Sequence, residues 1–349
     1  VFKRTQIIDK GGMRLDAIPA FIAEQLDRTD SLLVICNLKK QAAYLFTEMK
    51  LENTVIFHLF AGMCMAHRMA VISEINSALE RKRTNPDAPK VVCISTQVIE
   101  AGVDVSFGCV IRLCAGLDSV IQAAGRCNRN GELNGAADVF IINCRGEDLG
   151  MLRSLKDGKM ACMSLLSDYE YHPEKYPSGL TSDEAVYAYY KKLYIQSDIG
   201  AQDMPIKIDG SPFTLFDLLS LDRTFANAPY LKANGEKYAL TQAFKTAGSR
   251  FTVFGSSTTD VIVPYGEGKE IIAELGSKRA EEDIKYLKKL IKKARAYTVS
   301  LYENQRRALA DSGALHPIAD GIALALSEEF YNEDFGLNLD GESREAITL

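Results

Sequence analysis

The run Val91-Val92-Cys93-Ile94-Ser95-Thr96-Gln97-Val98-Ile99-Glu100-Ala101-Gly102-Val103-Asp104 decides how the chain is read. Val91 to Ser95 is a short apolar run of the kind that lies buried on both faces of a parallel sheet. It stops at a polar pair, Thr96-Gln97, and the chain then passes Gly102 and Asp104. A second apolar run, Cys109 to Leu113, follows. After it comes a helical pattern from Asp118 to Arg129 that closes on Gln122-Ala123-Ala124-Gly125-Arg126-Cys127-Asn128-Arg129. As a helix, that segment sets Arg126 and Arg129 on one face, three residues apart. Arginine keeps its charge, and its planar fork matches phosphate oxygens two at a time. Two such forks on one face suit a triphosphate; a solvated pair on a surface helix is the other reading.

Outward from this stretch, apolar runs alternate with helical patterns. Arg14 to Leu26 has helical spacing, with Pro19 in its first turn. Ser31 to Cys36 and Thr54 to Leu59 read as strands, and Lys39 to Lys50 and His67 to Arg81 as helices. Asp138 to Asn143 reads as a fifth strand. This alternation predicts an α/β fold, a doubly wound parallel sheet over residues 1–148. Ligands of such sheets bind at the carboxyl ends of the strands. Asn37 and Lys39 follow one strand there, and Thr96 and Gln97 another.

Residues 149–204 read as a helical linker with an aromatic-rich helix, Asp183 to Tyr194. Its tyrosines are expected to be packing residues rather than a base-stacking platform. Residues 205–349 read as a smaller mixed α+β domain. Leu215 to Leu221, Leu240 to Ala247 and Glu270 to Leu275 are expected helices, Tyr297 to Leu301 a strand, and Phe251 to Phe254 with Asp260 to Pro264 a hairpin. Ala280 to Lys293 is a basic amphipathic helix whose lysines are either solvated or in contact with a phosphate backbone.

Composition bounds the function. The chain has 349 residues, 47% hydrophobic and 25% charged, with a net charge of −5. A nucleic acid must therefore be held in a local groove, not by bulk attraction. No apolar stretch is long enough to span a membrane, and no signal peptide is expected. The eight cysteines contain no C-x-x-C pair, so zinc spacing is absent and buried, reduced thiols of a cytoplasmic protein are expected. No metal site is expected in this chain. The chain begins at Val1, which reads as a piece of a longer polypeptide.

Thr96 with Ala101-Gly102-Val103-Asp104, followed by Gln122, Gly125, Arg126 and Arg129, resembles motifs V and VI of superfamily 2 helicases. The wording of both segments is similar to the CRISPR-associated helicase–nuclease of type I interference systems, most of all its type I-C branch. His67-Arg68 resembles that family's Met-Cys-Pro-Ala-His-Arg element, with Met65 in place of the proline. Phe244 to Gly248 and Val261 to Tyr265 are similar to its C-terminal domain. The resemblance implies a second RecA-like helicase domain followed by that C-terminal domain. No G-x-x-x-x-G-K-S/T loop, acidic helicase box or His-Asp dyad occurs here. An HD nuclease domain with its divalent metal, and a first RecA-like domain cradling ATP and Mg²⁺, are therefore expected to lie elsewhere.

By the same resemblance, Arg126 and Arg129 act as arginine fingers on the γ-phosphate and Gln122 couples nucleotide to nucleic acid. Gly102, Asp104 and Gly125 belong to the cofactor side, with Asp104 on the ribose. Thr96, Asn37, Lys39 and Arg68 are expected on a DNA backbone. Asp104 as a turn cap and Thr96 as a helix cap are the structural alternatives. The implied partners are single-stranded DNA and a guide-RNA surveillance complex, and the implied motion is 3′ to 5′ translocation. Two other readings are a non-catalytic docking module and a generic superfamily 2 RNA helicase. The RNA-helicase reading expects His-Arg where Gln122-Ala123 stand.

Overall fold

Six strands form one wholly parallel sheet in the computed structural model, which describes residues 4–100, 102–150, 152–196, 204–208, 211–219, 242–251 and 258–339. The strands are β1 (Thr5–Arg14), β2 (Ser31–Ile35), β3 (Thr54–Leu59), β4 (Lys90–Ser95), β5 (Cys109–Leu113) and β6 (Ala137–Arg145), in the order β1-β6-β5-β2-β4-β3. The central strands β2, β4 and β5 are apolar on both sides because both sides are covered. Leu32, Val34, Val92 and Ile94 pack under α1 (Ile18–Leu26) and α2 (Lys39–Glu48). Leu33, Ile35, Val91 and Cys93 pack under α3 (Met65–Thr84), α4 (Leu117–Ala124) and the segment from Ile99 to Phe107. All eight cysteines are free and buried.

Two readings of this region change. The lead before Arg14 is the edge strand β1, paired with β6. Lys10-Gly11-Gly12 hides it, because the register slips between Asp9 and Gly12 and Gly11 sits at φ +67°. The helix expected over Asp118–Arg129 ends at Ala124. Gly125 closes it, and the chain then extends to bridge Phe107 to Cys127. Asn128, at φ +44°, turns it away. Arg126 and Arg129 therefore do not share a helical face.

The helices α5 (Arg153–Tyr171) and α6 (Asp183–Gln196) pack on each other and on α4 and β6 through Leu117, Val120, Ile141, Cys162 and Leu165. Tyr189 is buried there and donates to Asp118 at 3.1 Å. Tyr190 packs edge-on to Tyr189 at 5.0 Å and stacks on Tyr194 at 6.0 Å, although both Tyr190 and Tyr194 are exposed, and Tyr187 lies exposed.

Beyond them, β7 (Pro205–Ile208) and β8 (Ser211–Thr214) form a hairpin, followed by α7 (Leu215–Leu219) and α8 (Phe244–Arg250). A second sheet contains β9 (Thr258–Ile262), β10 (Thr298–Tyr302), β11 (Leu315–Ile318) and β12 (Ala323–Leu326), in the order β10-β9-β12-β11. Between β9 and β10 lie α9 (Gly268–Leu275), α10 (Lys278–Glu282) and α11 (Ile284–Ala294); α12 (Glu303–Asp311) follows β10. The hairpin expected over Phe251–Pro264 is replaced on its second arm by β9, which pairs with β10 and β12. The rest of its first arm and its turn, residues 252–257, lie outside the described residues.

The second sheet is seated on the first domain through the β3–α3 loop. His67 is buried, stacks on Tyr265 with ring centroids 4.2 Å apart, and has Tyr331 Oη 2.9 Å from Nδ1. Tyr331 also accepts from the Cys64 amide at 3.0 Å. His58 lies between the rings of Phe46 and Phe60 and donates from Nδ1 to the Asp334 carbonyl at 3.1 Å. Leu337 N–H donates to Gly62 O at 2.9 Å, and Gly336 lies so close that a Cβ there would meet Gly62 O at 2.6 Å.

Candidate functional site

The loop after β4 and the segment after α4 meet on one face of the sheet. Phe107 joins them: its N–H donates to Arg126 O at 3.0 Å, and its carbonyl accepts from Asn128 N–H at 2.9 Å. Asn128 is 1% exposed and ties the turn together, accepting from Leu133 N–H and donating to the carbonyls of Arg4 and Gly135. Arg129 N–H donates to Ser106 Oγ at 3.1 Å. The two motif segments are thus one hydrogen-bonded unit, although a whole strand, β5, and most of α4 separate them along the chain.

Their charged side chains converge. Arg126 is 8% exposed, and its Nη2 donates to Glu100 O at 2.7 Å. Its Nε is buried with no hydrogen-bond partner. Burial, and then the charge of Arg129, lower the Arg126 pKa from the usual arginine value. Arg129 pairs with Asp104 at 2.8 Å, but both are open to solvent, the Asp104 side chain 84% exposed. An exposed pair of this kind contributes only about 0.2–1 kcal/mol, so either partner exchanges readily for another ligand. Gly102 sits at φ +72° with open space where a Cβ would be. Gly125 is tighter: a Cβ there would come 3.1 Å from Gln122 O. Gln122 itself is exposed. An orphaned buried guanidinium nitrogen, a second cation beside it and one loosely held carboxylate fit a polyphosphate.

The carboxyl edge of the sheet carries a network that the sequence reading missed. Arg112, in the middle of β5, is fully buried. Its Nε lies 2.9 Å from Glu100 Oε1, and its Nη1 donates to Asn37 Oδ1 at 2.7 Å and Leu113 O at 2.8 Å. Asn37 in turn donates to Cys114 O at 3.0 Å and Glu147 Oε1 at 2.9 Å. Glu147 also accepts from Gln41 at 2.9 Å and Lys159 at 2.6 Å. The Asn37 amide is therefore engaged on all sides within the domain. Burial raises the Glu100 pKa while Arg112 opposes the shift. A charge inside the run Cys109-Val110-Ile111-Arg112-Leu113 is the signal that could have found this pair, since buried charges are paired.

The other expected backbone-contact residues are dispersed. Thr96 is 8% exposed and makes no capping bond to the 3₁₀ turn that follows it, which leaves its hydroxyl unused by that turn. The Lys39 ammonium lies 5.7 Å from the Phe60 ring centroid. Arg68 is half-buried in the first turn of α3, with Nε unpartnered. Among the described residues, no group of three or more His, Cys, Asp or Glu could hold a metal, and no helix is long and apolar enough to cross a membrane.

Residues 28–132 match the family model described as CRISPR-associated nuclease/helicase Cas3, C-terminal. A stretch of 41 residues, 12% of this chain, is 66% identical to the CRISPR-associated nuclease/helicase Cas3 of Haloferax volcanii and covers 4% of that protein. The crystal structure of T. fusca Cas3 with ATP superposes with a TM-score of 0.52 and 14% identity, over 93% of this chain and 39% of that one. A further crystal structure of T. fusca Cas3 gives 0.51 and 12%, over 85% and 36%. At these identities the likeness is one of fold. The chain spans well under half the length of each of these relatives. The matched span contains Thr96, Asp104, Gln122, Arg126 and Arg129, so the similarity to the C-terminal part of the CRISPR-associated nuclease/helicase Cas3 falls on the segments that build this site.

Proposed function

We propose that this chain supplies one half of the ATP site, and part of the DNA track, of a helicase that moves 3′ to 5′ along single-stranded DNA in CRISPR interference. In this reading residues 1–148 are the second RecA-like domain, 149–204 the helical linker and 205–349 the C-terminal domain. The first RecA-like domain, with the phosphate-cradling loop and Mg²⁺, and an HD nuclease with its divalent metal complete the cytoplasmic enzyme, which acts beside a guide-RNA surveillance complex.

One observation carries the proposal. The Glu100–Asp104 loop and the Arg126–Arg129 turn are held as one unit that presents two guanidinium groups. ATP supplies the phosphoryl transfer when the two halves close. Arg126 and Arg129 neutralise charge that develops on the transferring group. Asp104 gives up Arg129 and accepts from the ribose, while Gln122 links this face to the nucleic-acid edge. Thr96 donates to a backbone phosphate there, assisted by Lys39 and Arg68, a contact that reads no sequence. Asn37 acts by holding that edge in place through Arg112 and Glu147.

A half-site does not turn over. Purified residues 1–349 are expected to hydrolyse no ATP above background, with or without single-stranded DNA, as read by phosphate release. Sustained, DNA-stimulated hydrolysis by this chain alone would overturn the proposal.

A further inference from the structure

The helix α11, Ile284–Ala294, has the sequence Ile-Lys-Tyr-Leu-Lys-Lys-Leu-Ile-Lys-Lys-Ala. Lys285, Lys288, Lys289 and Lys292 stand exposed on one face, opposite Leu287, Leu290 and Ala294, which pack into the domain core. Lys293, at the margin, is paired with Glu267 at 2.9 Å. The four stripe lysines have no ion pair among the described residues. The neighbouring acids are engaged elsewhere or turned to other work: Asp283 caps the helix through the amides of Lys285 and Tyr286, and Glu274 accepts from Tyr286. Glu281 and Glu282 stand before the first turn.

This arrangement works against the helix itself. Lys285 with Lys289, Lys288 with Lys292 and Lys289 with Lys293 are like charges four residues apart, each destabilising. Only the last-turn lysines recover something from the helix dipole. The chain as a whole is negative, so the stripe runs against its global charge. An external anion relieves the repulsion, and its chemistry is constrained. A folded protein partner is disfavoured, since interface cores are depleted in lysine and anchored by aromatic and arginine residues, which this face lacks. A membrane is disfavoured because the apolar face needed for insertion is already buried against α9 and β9. Lysine without arginine suits point contacts to successive phosphates rather than bidentate recognition of a base or a single group. From Lys285 to Lys292 the stripe runs about 10 Å along the axis. At its far end the turn Arg295–Tyr297 packs on α3, where Tyr297 shares a cluster with Ala66, next to His67 and Arg68.

We propose that the lysine face of α11 is a second, sequence-independent track for the phosphate backbone of single-stranded nucleic acid, on the C-terminal domain. It goes beyond the half-site reading and does not depend on ATP.

The test is fluorescence anisotropy of labelled oligo-dT titrated with the full chain over a salt series. Wild type is compared with the quadruple variant Lys285→Gln, Lys288→Gln, Lys289→Gln, Lys292→Gln, with the matching quadruple arginine variant and with Thr96→Ala. Thermal melting checks that each is folded. The proposal expects the glutamine variant to raise Kd about tenfold or more at low salt. It also expects a log Kd against log salt slope shallower by about 2 to 3, near 0.7 per lost phosphate contact, and the arginine variant to behave as wild type. Unchanged Kd and slope in the glutamine variant overturn it. So does loss of binding to phosphatidylserine vesicles or to poly-glutamate with oligo-dT binding intact. Failure of the helicase reading is a different result: Thr96→Ala without effect on oligo-dT binding while the lysine variant still weakens it.

Discussion

Arg112 and Glu100 show how a single buried pair holds this site. Arg112 pairs through Nε with Glu100 and donates from Nη1 to Asn37 and to the main-chain oxygens of Ile35 and Leu113, leaving Nη2 buried without a partner, so one side chain joins the carboxyl ends of β2, β4 and β5. Glu100 belongs to that pair through its carboxylate and to Arg126 through its carbonyl. Removing one partner strands a buried charge, which typically costs about 3–5 kcal/mol, whereas replacing both by apolar groups is far milder. Glu100→Leu is therefore expected to lower the urea midpoint strongly, and Glu100→Leu with Arg112→Met to recover most of that loss. A single variant as stable as wild type would contradict the assigned role. Arg126, Arg129 and Asp104 stood out in the sequence through the resemblance to helicase motifs, whereas the three-residue spacing that set both arginines on one helical face failed because α4 ends at Ala124. Arg112 did not stand out, since its partner Glu100 lies twelve residues away and only the fold brings the two together.

At the scale of elements, the parallel strands were legible because apolar runs buried on both faces leave a plain signature. Two elements of the parallel-sheet domain were not. Edge strand β1 carries Gly11 and Gly12 across its register slip, which erases the signature. The end of α4 was overrun because Cys127 and Asn128 are compatible with a helix locally; the competing pull is the tertiary bridge to Phe107. The seat of the C-terminal domain was equally hidden, since His58 and His67 show no metal-like neighbours in sequence and find aromatic and main-chain partners only in the fold. That seat makes stability depend on acid. Burial lowers the His58 pKa from 6.5 to about 4, and lowers that of His67 as well. Below pH 6.5 the unfolded chain binds protons that the folded chain refuses. Stability is thus intact above pH 6.5 and falls as the pH drops toward 4, by up to about 1.4 kcal/mol per unit for each such histidine. His58→Phe, which keeps a ring in the stack, is expected to flatten the decline of melting temperature between pH 6.5 and 4.5. An unchanged slope would remove His58 from the account.

Among the described residues an α/β platform carries a second domain, which is clamped to the platform around its β3–α3 loop. The platform gathers two guanidinium groups and a loosely paired aspartate on one face, with an exposed glutamine in the last turn of α4 and Thr96 directly after β4. What it presents is suited to a phosphate held by another domain, and that division is the central claim. The most direct measurement is made on the longer protein proposed to contain this chain: single-turnover ATP hydrolysis beside oligo-dT affinity for Arg126→Ala and Arg129→Ala. The account predicts that each variant slows hydrolysis by about 10³-fold or more, as loss of an arginine finger does, while oligo-dT binding stays within about twofold of wild type. Hydrolysis near wild type, or equal loss of hydrolysis and DNA binding, would contradict it.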